Sequence, residues 1–355
     1  SNGSVYFDVE KYNTDFSAKG QPYGILSGRV LDDQIESTRE LDNQDEKRNK
    51  SDFALWKNAP PEHIMRWQSP WGEGFPGWHI ECSAMSTKYL GKEFDIHGGG
   101  MDLQFPHHEC EIAQSTVCNH QLPARYWLHN NMITINGKKM GKSYNNVIKL
   151  SELFAGTHPI LEQAYAPSTV RFFILQSQYR STLDFSNEAL QASEKALRRL
   201  MDAYEWLMSF EQTDNHTASD EQLNEKVLKL VTAFDEFMND DINTAKVIAN
   251  MFELVPIINS LKDKHISATA LENQTIVFLK KQLTAFIVDI FGLESSKANN
   301  NNNKLEGVLQ LLINMRKEAK QRKDFVTSDK IRNELTALGI QLKDEKDGGM
   351  SYTIQ

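Results

Sequence analysis

Apolar and polar positions alternate with the period of an α-helix through the second half of the chain. From about residue 186, apolar residues recur at spacings of three and four, which places them on one face of a helix. In the first such stretch they are Leu190, Ala196, Leu197, Leu200, Met201, Tyr204 and Leu207. The same period returns over residues 223–237, 244–261 and 277–291. The pattern predicts an all-α helical bundle over residues 187–296.

Polar stretches interrupt this periodicity at two places. Residues 213–220 are typical of a loop between helices, and residues 297–303 include five successive asparagines from Asn299. The asparagine run is too polar to pack against a core, so it predicts a linker. Beyond it, the pattern indicates a helix pair, a turn at Gly348-Gly349 and a strand over residues 351–354. Residues 304–355 are therefore expected to form a small C-terminal α/β module.

The first part of the chain is organised differently. Residues 1–70 are irregular, with short apolar runs and a break at Pro60-Pro61. Residues 70–143 are dense in Gly, His, Trp and Pro, a composition typical of a site built on loops. The expected order is thus an α/β region with catalytic character, a helical bundle and the C-terminal module.

Composition narrows the class of protein. No apolar run approaches the eighteen residues of a membrane span, and the three cysteines form no disulfide framework, which predicts a reducing, cytoplasmic setting. A net charge of −9 argues against indiscriminate nucleic-acid binding. It leaves room for a local basic face near the C-terminus, although acidic residues are interspersed there. Its members are Arg316, Lys317, Lys320, Arg322, Lys323, Lys330 and Arg332.

Candidate metal ligands follow a glycine-rich turn. Three glycines after His97 allow a tight turn, and Pro106 suits the first turn of a helix. On that helix His107 and Glu111 are four residues apart, so an imidazole and a carboxylate share one face. Cys82 offers a thiolate, which makes three ligands that zinc accepts. The spacing alone does not choose between His107 and His108, and Cys110 is another conceivable ligand.

A second candidate site is the segment Lys138-Lys-Met-Gly-Lys-Ser143, which follows the strand-like residues 131–135. Two lysines around a small flexible pair of residues place ammonium groups where they can neutralise a polyphosphate. Basic loops after strands are otherwise common, so this signal is weaker than the metal pattern.

Together these segments resemble the cysteinyl-tRNA synthetases, which are class I aminoacyl-tRNA ligases. The motifs that carry the resemblance are Gly77-Trp-His-Ile-Glu-Cys-Ser-Ala-Met85, His97-Gly-Gly-Gly with Asp102-Leu, Phe105-Pro-His-His-Glu109 and Lys139-Met-Gly-Lys-Ser143. Supporting matches are Lys47-Arg-Asn, Ala54-Leu-Trp-Lys57, Asp240-Asp-Ile-Asn-Thr244 and the helices over residues 316–339. The resemblance extends over nearly the whole chain, and the motifs keep the family's order.

The resemblance implies roles for particular residues. It maps the zinc ligands onto Cys82, His107 and Glu111. It maps the wall of the cysteine pocket onto Trp78 and His97. Lys139, Gly141, Lys142 and Ser143 fall in the ATP-binding loop, with Lys139 and Lys142 as the catalytic lysines. Gly141 replaces the family's usual serine, and we expect little functional change because the lysines are retained. Met101 and Cys110 also depart from the commonest pattern and are interpreted as packing residues.

The resemblance also implies the fold, the cofactors and the partners. We expect a partial Rossmann-type catalytic domain, one Zn²⁺, ATP with Mg²⁺, L-cysteine and cysteine tRNA as partners, and a monomer. The family's HIGH motif and fourth zinc ligand, a cysteine, have no counterpart in these residues, so the chain as given is expected to be an inactive fragment. The implied layout is the remainder of a connective insertion (1–74), the second Rossmann half (75–144), a stem-contact region (145–186), the tRNA-binding bundle (187–296), the linker (297–303) and an anticodon-side module (304–355).

Two alternatives stay open at this point. A cysteine ligase of mycothiol biosynthesis shares the catalytic half, but it has no need of more than 150 residues beyond the lysine loop. A non-catalytic tRNA-binding protein would have no use for the metal ligands and the loop lysines.

Overall fold

Residues 3–29, 47–212, 219–294, 296–344 and 350–354 are described by the computed structural model of the chain. The chain forms two units. One comprises Ser1–Val147 with Ser177–Ser186, and the other comprises Ile148–Gln176 with Asn187–Gln355. Among the described residues, no helix combines the length and the apolar character needed to cross a membrane.

The secondary structure follows in chain order. The elements are β1 (Val5–Phe7), α1 (Val9–Phe16), β2 (Phe53–Asn58), β3 (Gly74–Pro76), α2 (Trp78–Leu90), β4 (Phe94–Gly100), α3 (Met101–Leu103), α4 (Glu109–Asn119), β5 (Ala124–Asn130), β6 (Ile133–Ile135), β7 (Lys138–Lys139), α5 (Leu150–Ala155), α6 (Pro167–Leu175), β8 (Leu183–Phe185), α7 (Asn187–Ser209), α8 (Glu221–Asn239), α9 (Thr244–Lys262), α10 (Asn273–Thr284), α11 (Ser296–Gln321), α12 (Phe325–Ala337), β9 (Ile340–Asp344) and β10 (Met350–Ile354).

The described residues of the first unit form an α/β structure with three small sheets. β1, β2 and β3 are antiparallel, β4 and β5 are parallel, and β6 lies between antiparallel β7 and parallel β8. The parallel pair is joined through α3, a wide helical turn over Gln104–His108, and α4. Parallel strands need such a crossover because the end of the first strand and the start of the next lie at opposite ends of the sheet. This arrangement confirms the predicted α/β class.

The core of the first unit lies between the antiparallel sheet and α4. Its buried members are Val9, Tyr12, Tyr23, Phe53, Cys110 and Ala113. Cys110 is fully buried and lies 3.2 Å from the hydroxyl of Tyr23, so its interpretation as a packing residue is confirmed. The same interpretation of Met101 is wrong, because 47% of this residue is exposed.

The second unit contains the predicted helical bundle. Its main core is formed by α6 to α10, whose apolar faces meet as the periodicity predicts. Side chains also define where helices begin: the carboxylate of Asp220 accepts from the amide of Leu223, and the Asn243 side chain accepts from the amide of Lys246. The predicted strand near the C-terminus is confirmed as β10, which pairs with β9.

Two expectations about the C-terminal part are wrong. The asparagine run lies inside α11 and forms no irregular linker. Each asparagine lowers helix stability only modestly, and a helix supported along the rest of its length extends through such a run. Arg316 does not belong to an exposed basic face, because it is 98% buried beside the core of α11 and α12. Most of the 213–220 loop and the Gly348-Gly349 turn lie outside the described residues.

The two units do not follow the expected domain boundaries. Residues 177–186 belong to the first unit, where β8 pairs with β6, while residues 148–176 belong to the second. The region expected over residues 145–186 is therefore divided between the units. The functional names given to the domains stay predictions.

Candidate active site

The first group of site residues lies at the start of α2. Gly77 precedes the helix and packs so closely on the carbonyl of Ala54 that a side chain there would collide with it. Trp78 and Cys82 follow four residues apart on one face of the helix. The Trp78 ring lies with its centroid 4.1 Å from the His107 ring.

The second group lies where the wide turn enters α4. His107, His108, Glu109 and Glu111 are all buried. Buried charged groups are rare unless they are paired or bind a metal. This concentration of polar side chains in a packed interior therefore marks a site.

The three predicted metal ligands converge. The ligand atoms of Cys82, His107 and Glu111 all lie within 4.8 Å of one another. His107 Nε2 is 2.8 Å from Glu111 Oε1, yet this buried oxygen has no aligned hydrogen bond. His107 Nε2 and Glu111 Oε1 are therefore close together without an aligned hydrogen bond between them. This is the geometry expected when both atoms are ligands of the same metal ion. The set of thiol, imidazole and carboxylate donors suits Zn²⁺.

Protonation states in this group also fit a cation. Burial by itself raises the pKa of Glu111, but His107 and His97 outweigh it and hold the pKa at about 2. Burial, together with Glu111 and Glu81, raises the pKa of the Cys82 thiol. Without a cation Cys82 is thus a thiol, and a bound metal would favour its thiolate.

A histidine network surrounds the three candidate ligands. His79 Nδ1 lies 2.8 Å from His107 Nδ1, and His97 Nε2 lies 3.0 Å from Glu111 Oε2. Burial, with the adjacent His107, lowers the pKa of His79 to about 4, so this ring is neutral at pH 7. Nδ1 of a neutral His79 can accept a hydrogen bond from the Nδ1–H of His107, which leaves Nε2 of His107 unprotonated and able to bind a metal.

His108 occupies a different environment from His107. Its Nδ1 lies 2.8 Å from Nε2 of His129, and its ring packs beside His97 and Trp127. Gly99 lies against the same ring, because a Cβ at that position would be 2.9 Å from His108 Cε1. His97, His108 and Glu111 form a second group of potential ligand atoms within 4.8 Å, so Glu111 lies between the two histidine sets.

Sequence reasoning missed the roles of His79, His108 and His129. His79 contacts His107 across two helices, and His129 is brought to His108 by the register that pairs it with Gly99. Such contacts depend on tertiary packing and leave no local pattern. The one available signal was the position of His129 at the carboxyl end of a strand, next to the glycine-rich segment.

Glu109 is a further buried residue that the sequence did not single out. Its carboxylate accepts hydrogen bonds from the amides of Gly24, Leu26 and Ser27 and from the Ser27 hydroxyl, at 2.7 to 3.1 Å. The side chain of Gln104 donates to the carbonyl of Leu26. These bonds fasten the loop over residues 24–27 to α4, which carries Glu111 and directly follows the turn that carries His107.

The lysine loop begins after the hairpin of β6 and β7. Asn136 and Gly137 form its turn with φ of 49° and 75°, the left-handed pair typical of a tight hairpin. The Asp184 carboxylate accepts from the Gly137 amide and from the Thr134 hydroxyl. These contacts fix the hairpin from which the lysines extend.

The predicted phosphate-binding residues lie on the surface of this loop. Lys139, Lys142 and Ser143 are exposed. Gly141 has extended backbone, and a Cβ there would lie no closer than 3.5 Å to the Tyr144 ring. Nothing in the backbone requires glycine, which agrees with the expectation that its exchange for serine changes little.

Comparison with known proteins gives the family. The family model for the class I (C) tRNA synthetase catalytic domain matches residues 1–195, and the DALR domain model matches residues 233–293. The cysteine–tRNA ligase of Parabacteroides distasonis is 54% identical over 98% of this chain and 68% of its own length. That of Bacteroides thetaiotaomicron is 55% identical with the same coverage. The chain belongs to the cysteine–tRNA ligase family.

Membership in this family confirms the resemblance read from the motifs. It also confirms the class I catalytic fold followed by a helical region. The chain spans about two thirds of the length of these cysteine–tRNA ligases. A more distant member, from Chlorobaculum tepidum, is 43% identical over 98% of this chain.

Proposed function

We propose that the first unit carries the cysteine-selecting and ATP-binding site of a cysteine–tRNA ligase, with Cys82, His107 and Glu111 holding one Zn²⁺. The reaction is the ATP-dependent activation of L-cysteine and its ligation to cysteine tRNA. The observation that supports this proposal most is the convergence of thiol, imidazole and carboxylate donors within 4.8 Å, with His107 and Glu111 buried and Cys82 partly buried.

The need for a metal follows from the choice between cysteine and serine. The two amino acids differ by sulfur for oxygen, and a pocket separates such near-isosteres by shape only weakly. Bound Zn²⁺ supplies a soft Lewis acid that prefers the thiolate of cysteine to the hydroxyl of serine. Selection then depends on chemistry as well as on size.

The surrounding side chains orient the ligands and shape the pocket. His79 is neutral and holds His107 in the tautomer that presents Nε2. His97 engages the second oxygen of Glu111, which leaves the first oxygen directed at the ligand cluster. Trp78 is half-exposed against His107 and offers an apolar wall for the cysteine side chain.

The lysine loop provides the charge for phosphate chemistry. Activation requires attack of the cysteine carboxylate on the α-phosphate of ATP with departure of pyrophosphate. Lys139 ends the fixed hairpin, Lys142 follows it in the loop, and both are exposed to solvent. Their ammonium groups stabilise the charge that develops on the phosphates, together with Mg²⁺.

The second unit is proposed to bind tRNA. Five exposed cations on α11, α12 and the segment between them can contact phosphates, although Arg322 and Lys330 also pair with Glu318 and Glu334, respectively. The five cations are Lys317, Arg322, Lys323, Lys330 and Arg332.

The proposal is tested by replacing one candidate ligand in the protein at its full natural length. Cys82→Ser is expected to lower zinc content, measured by atomic absorption, and to reduce the preference for cysteine over serine in pyrophosphate exchange. A second readout is aminoacylation of cysteine tRNA against a non-cognate tRNA. Cys118→Ser is the matched control, because Cys118 is exposed and lies outside the ligand cluster. Unchanged zinc content and selectivity in Cys82→Ser would contradict the proposal.

A further inference from the structure

The side chain of Asn146 bonds the end of the lysine loop back to its beginning, and the proposed function gives this residue no role. Beyond β7, the last backbone bond to the hairpin runs from the Met140 amide to the Ile133 carbonyl, at 3.2 Å. The chain then makes a single tight turn over Lys142–Tyr144. Asn145, with a left-handed φ of 49°, reverses its direction. This reversal brings Asn146 back toward the beginning of the loop.

The side-chain amide of Asn146 bonds both sides of Met140. Its Oδ1 accepts from the Gly141 amide at 2.9 Å, and its Nδ2 donates to the Lys139 carbonyl at 3.0 Å. Only one orientation of the amide satisfies both partners, because Oδ1 must face an N–H and Nδ2 must face a C=O. A carboxylate would lose the donor, and an aliphatic side chain would lose both bonds.

These two bonds fix the spacing of the lysines. They hold the carbonyl of Lys139 and the amide N–H of Gly141. The backbone from Lys139 to Lys142 therefore has little conformational freedom. An exposed loop of this kind otherwise loses conformational entropy when it orders around a ligand. A loop that is ordered beforehand meets the transition state with less reorganisation.

We propose that Asn146 is a positioning residue that latches the lysine loop in the conformation that meets the phosphates of ATP. The inference rests on the proposed function, since it acts through Lys139 and Lys142. Asn146 itself touches no substrate in this scheme.

The test is steady-state ATP–pyrophosphate exchange by the protein at its full natural length. Asn146→Ala is expected to lower kcat/KM for ATP by about tenfold, as expected for two lost hydrogen bonds. The KM for cysteine should stay unchanged, because the metal cluster is not part of the loop. Asn119→Ala is the matched control: Asn119 ends α4, near the start of β5, and its side chain makes one long hydrogen bond among the described residues, to the Thr87 hydroxyl at 3.4 Å.

A double variant separates positioning from a general structural role. If Asn146 acts through Lys142, adding Asn146→Ala to Lys142→Ala should cause little further loss, whereas independent effects would multiply. Asn146→Ser, which keeps a shorter donor and acceptor, serves if the alanine variant does not fold. It should show a smaller loss in the same parameter.

Three results would overturn the inference. They are an unchanged kcat/KM for ATP in Asn146→Ala, an equal loss for cysteine and ATP, and a loss that multiplies with that of Lys142→Ala. Failure of the proposed function looks different, because the unsubstituted protein would then show no cysteine-dependent exchange.

Discussion

Cys82, Cys110 and Cys118 occupy three environments, and their reactivity should reflect this. Cys118 is exposed, Cys110 is fully buried and Cys82 is intermediate, beside Glu111. Burial raises the pKa of both Cys82 and Cys110. A raised pKa lowers the thiolate fraction at a given pH, and the thiolate is the form that reacts with alkylating reagents.

We expect iodoacetamide at pH 8 to label Cys118 first and Cys82 slowly, with Cys110 labelled only after unfolding. Zinc should slow the labelling of Cys82 further, because coordination draws electron density from the sulfur and lowers its nucleophilicity. Peptide mass spectrometry with and without a chelator measures these rates. Cys118 is the internal control, since the metal should not affect it. A Cys82 rate that does not respond to zinc would exclude this sulfur as a ligand.

For individual residues, the sequence predicted some candidate ligands but not their partners. The motifs identified Cys82, His107 and Glu111, but spacing did not separate His107 from His108. The structure gives the two rings different partners: His107 Nε2 faces Glu111 Oε1, while His108 Nδ1 lies 2.8 Å from His129 Nε2. This distinction depends on which strand and helix pack beside each ring, and local spacing does not contain that information.

At the scale of elements, the start of α4 is held by hydrogen bonds to a loop that is distant in sequence. Glu109 is fully buried and accepts four hydrogen bonds from residues 24–27. Neither the helical period nor the family motif indicated this role, because the partners are backbone amides more than eighty residues away. The asparagine run in α11 is the opposite case, where composition predicted a break that the helix does not make.

Glu109→Ala is expected to destabilise the first unit by about 2–4 kcal/mol, because buried amides would lose a charged acceptor. Glu109→Gln should cost less, since one oxygen can keep three of the four bonds. Urea unfolding followed by tryptophan fluorescence measures this, because five of the six tryptophans lie in the first unit. Glu93→Ala is the control: its bond to Arg125 is short but exposed, so no measurable change is expected. An equal change in the free energy of unfolding in Glu109→Ala and Glu93→Ala would contradict a stabilising role for the bonds between Glu109 and residues 24–27.

At the scale of the whole molecule, each unit has its own core. The candidate metal ligands and the lysine loop lie in the first unit, while the large apolar core of the bundle lies in the second. The hydrophobic period predicted this bundle well, because its helices bury one continuous face. The first unit was harder to predict, because its strands are short and its order comes from turns and buried polar contacts.

Phe234→Ala should destabilise the second unit by about 3–5 kcal/mol, because Phe234 is fully buried in the bundle core. Far-UV circular dichroism, dominated by the bundle helices, should show the loss. Zinc affinity of the first unit should remain unchanged, since all candidate ligands lie there. Leu228→Ala on the exposed side of α8 is the control. A fall in zinc affinity in Phe234→Ala would show that the two cores are energetically coupled.

The contact between Gly99 and His108 has a consequence for how the site can vary. Leu103 also lies 3.0 Å from the position of a Cβ at Gly99, so added volume there would press on two neighbours. The His108 ring contacts Gly99 and bonds His129, and it has a ligand atom within 4.8 Å of a Glu111 carboxylate oxygen. A single methyl group at residue 99 would therefore be transmitted as a displacement of the carboxylate. We therefore expect a substitution at Gly99 to disturb the candidate ligand Glu111 as well as the local fold.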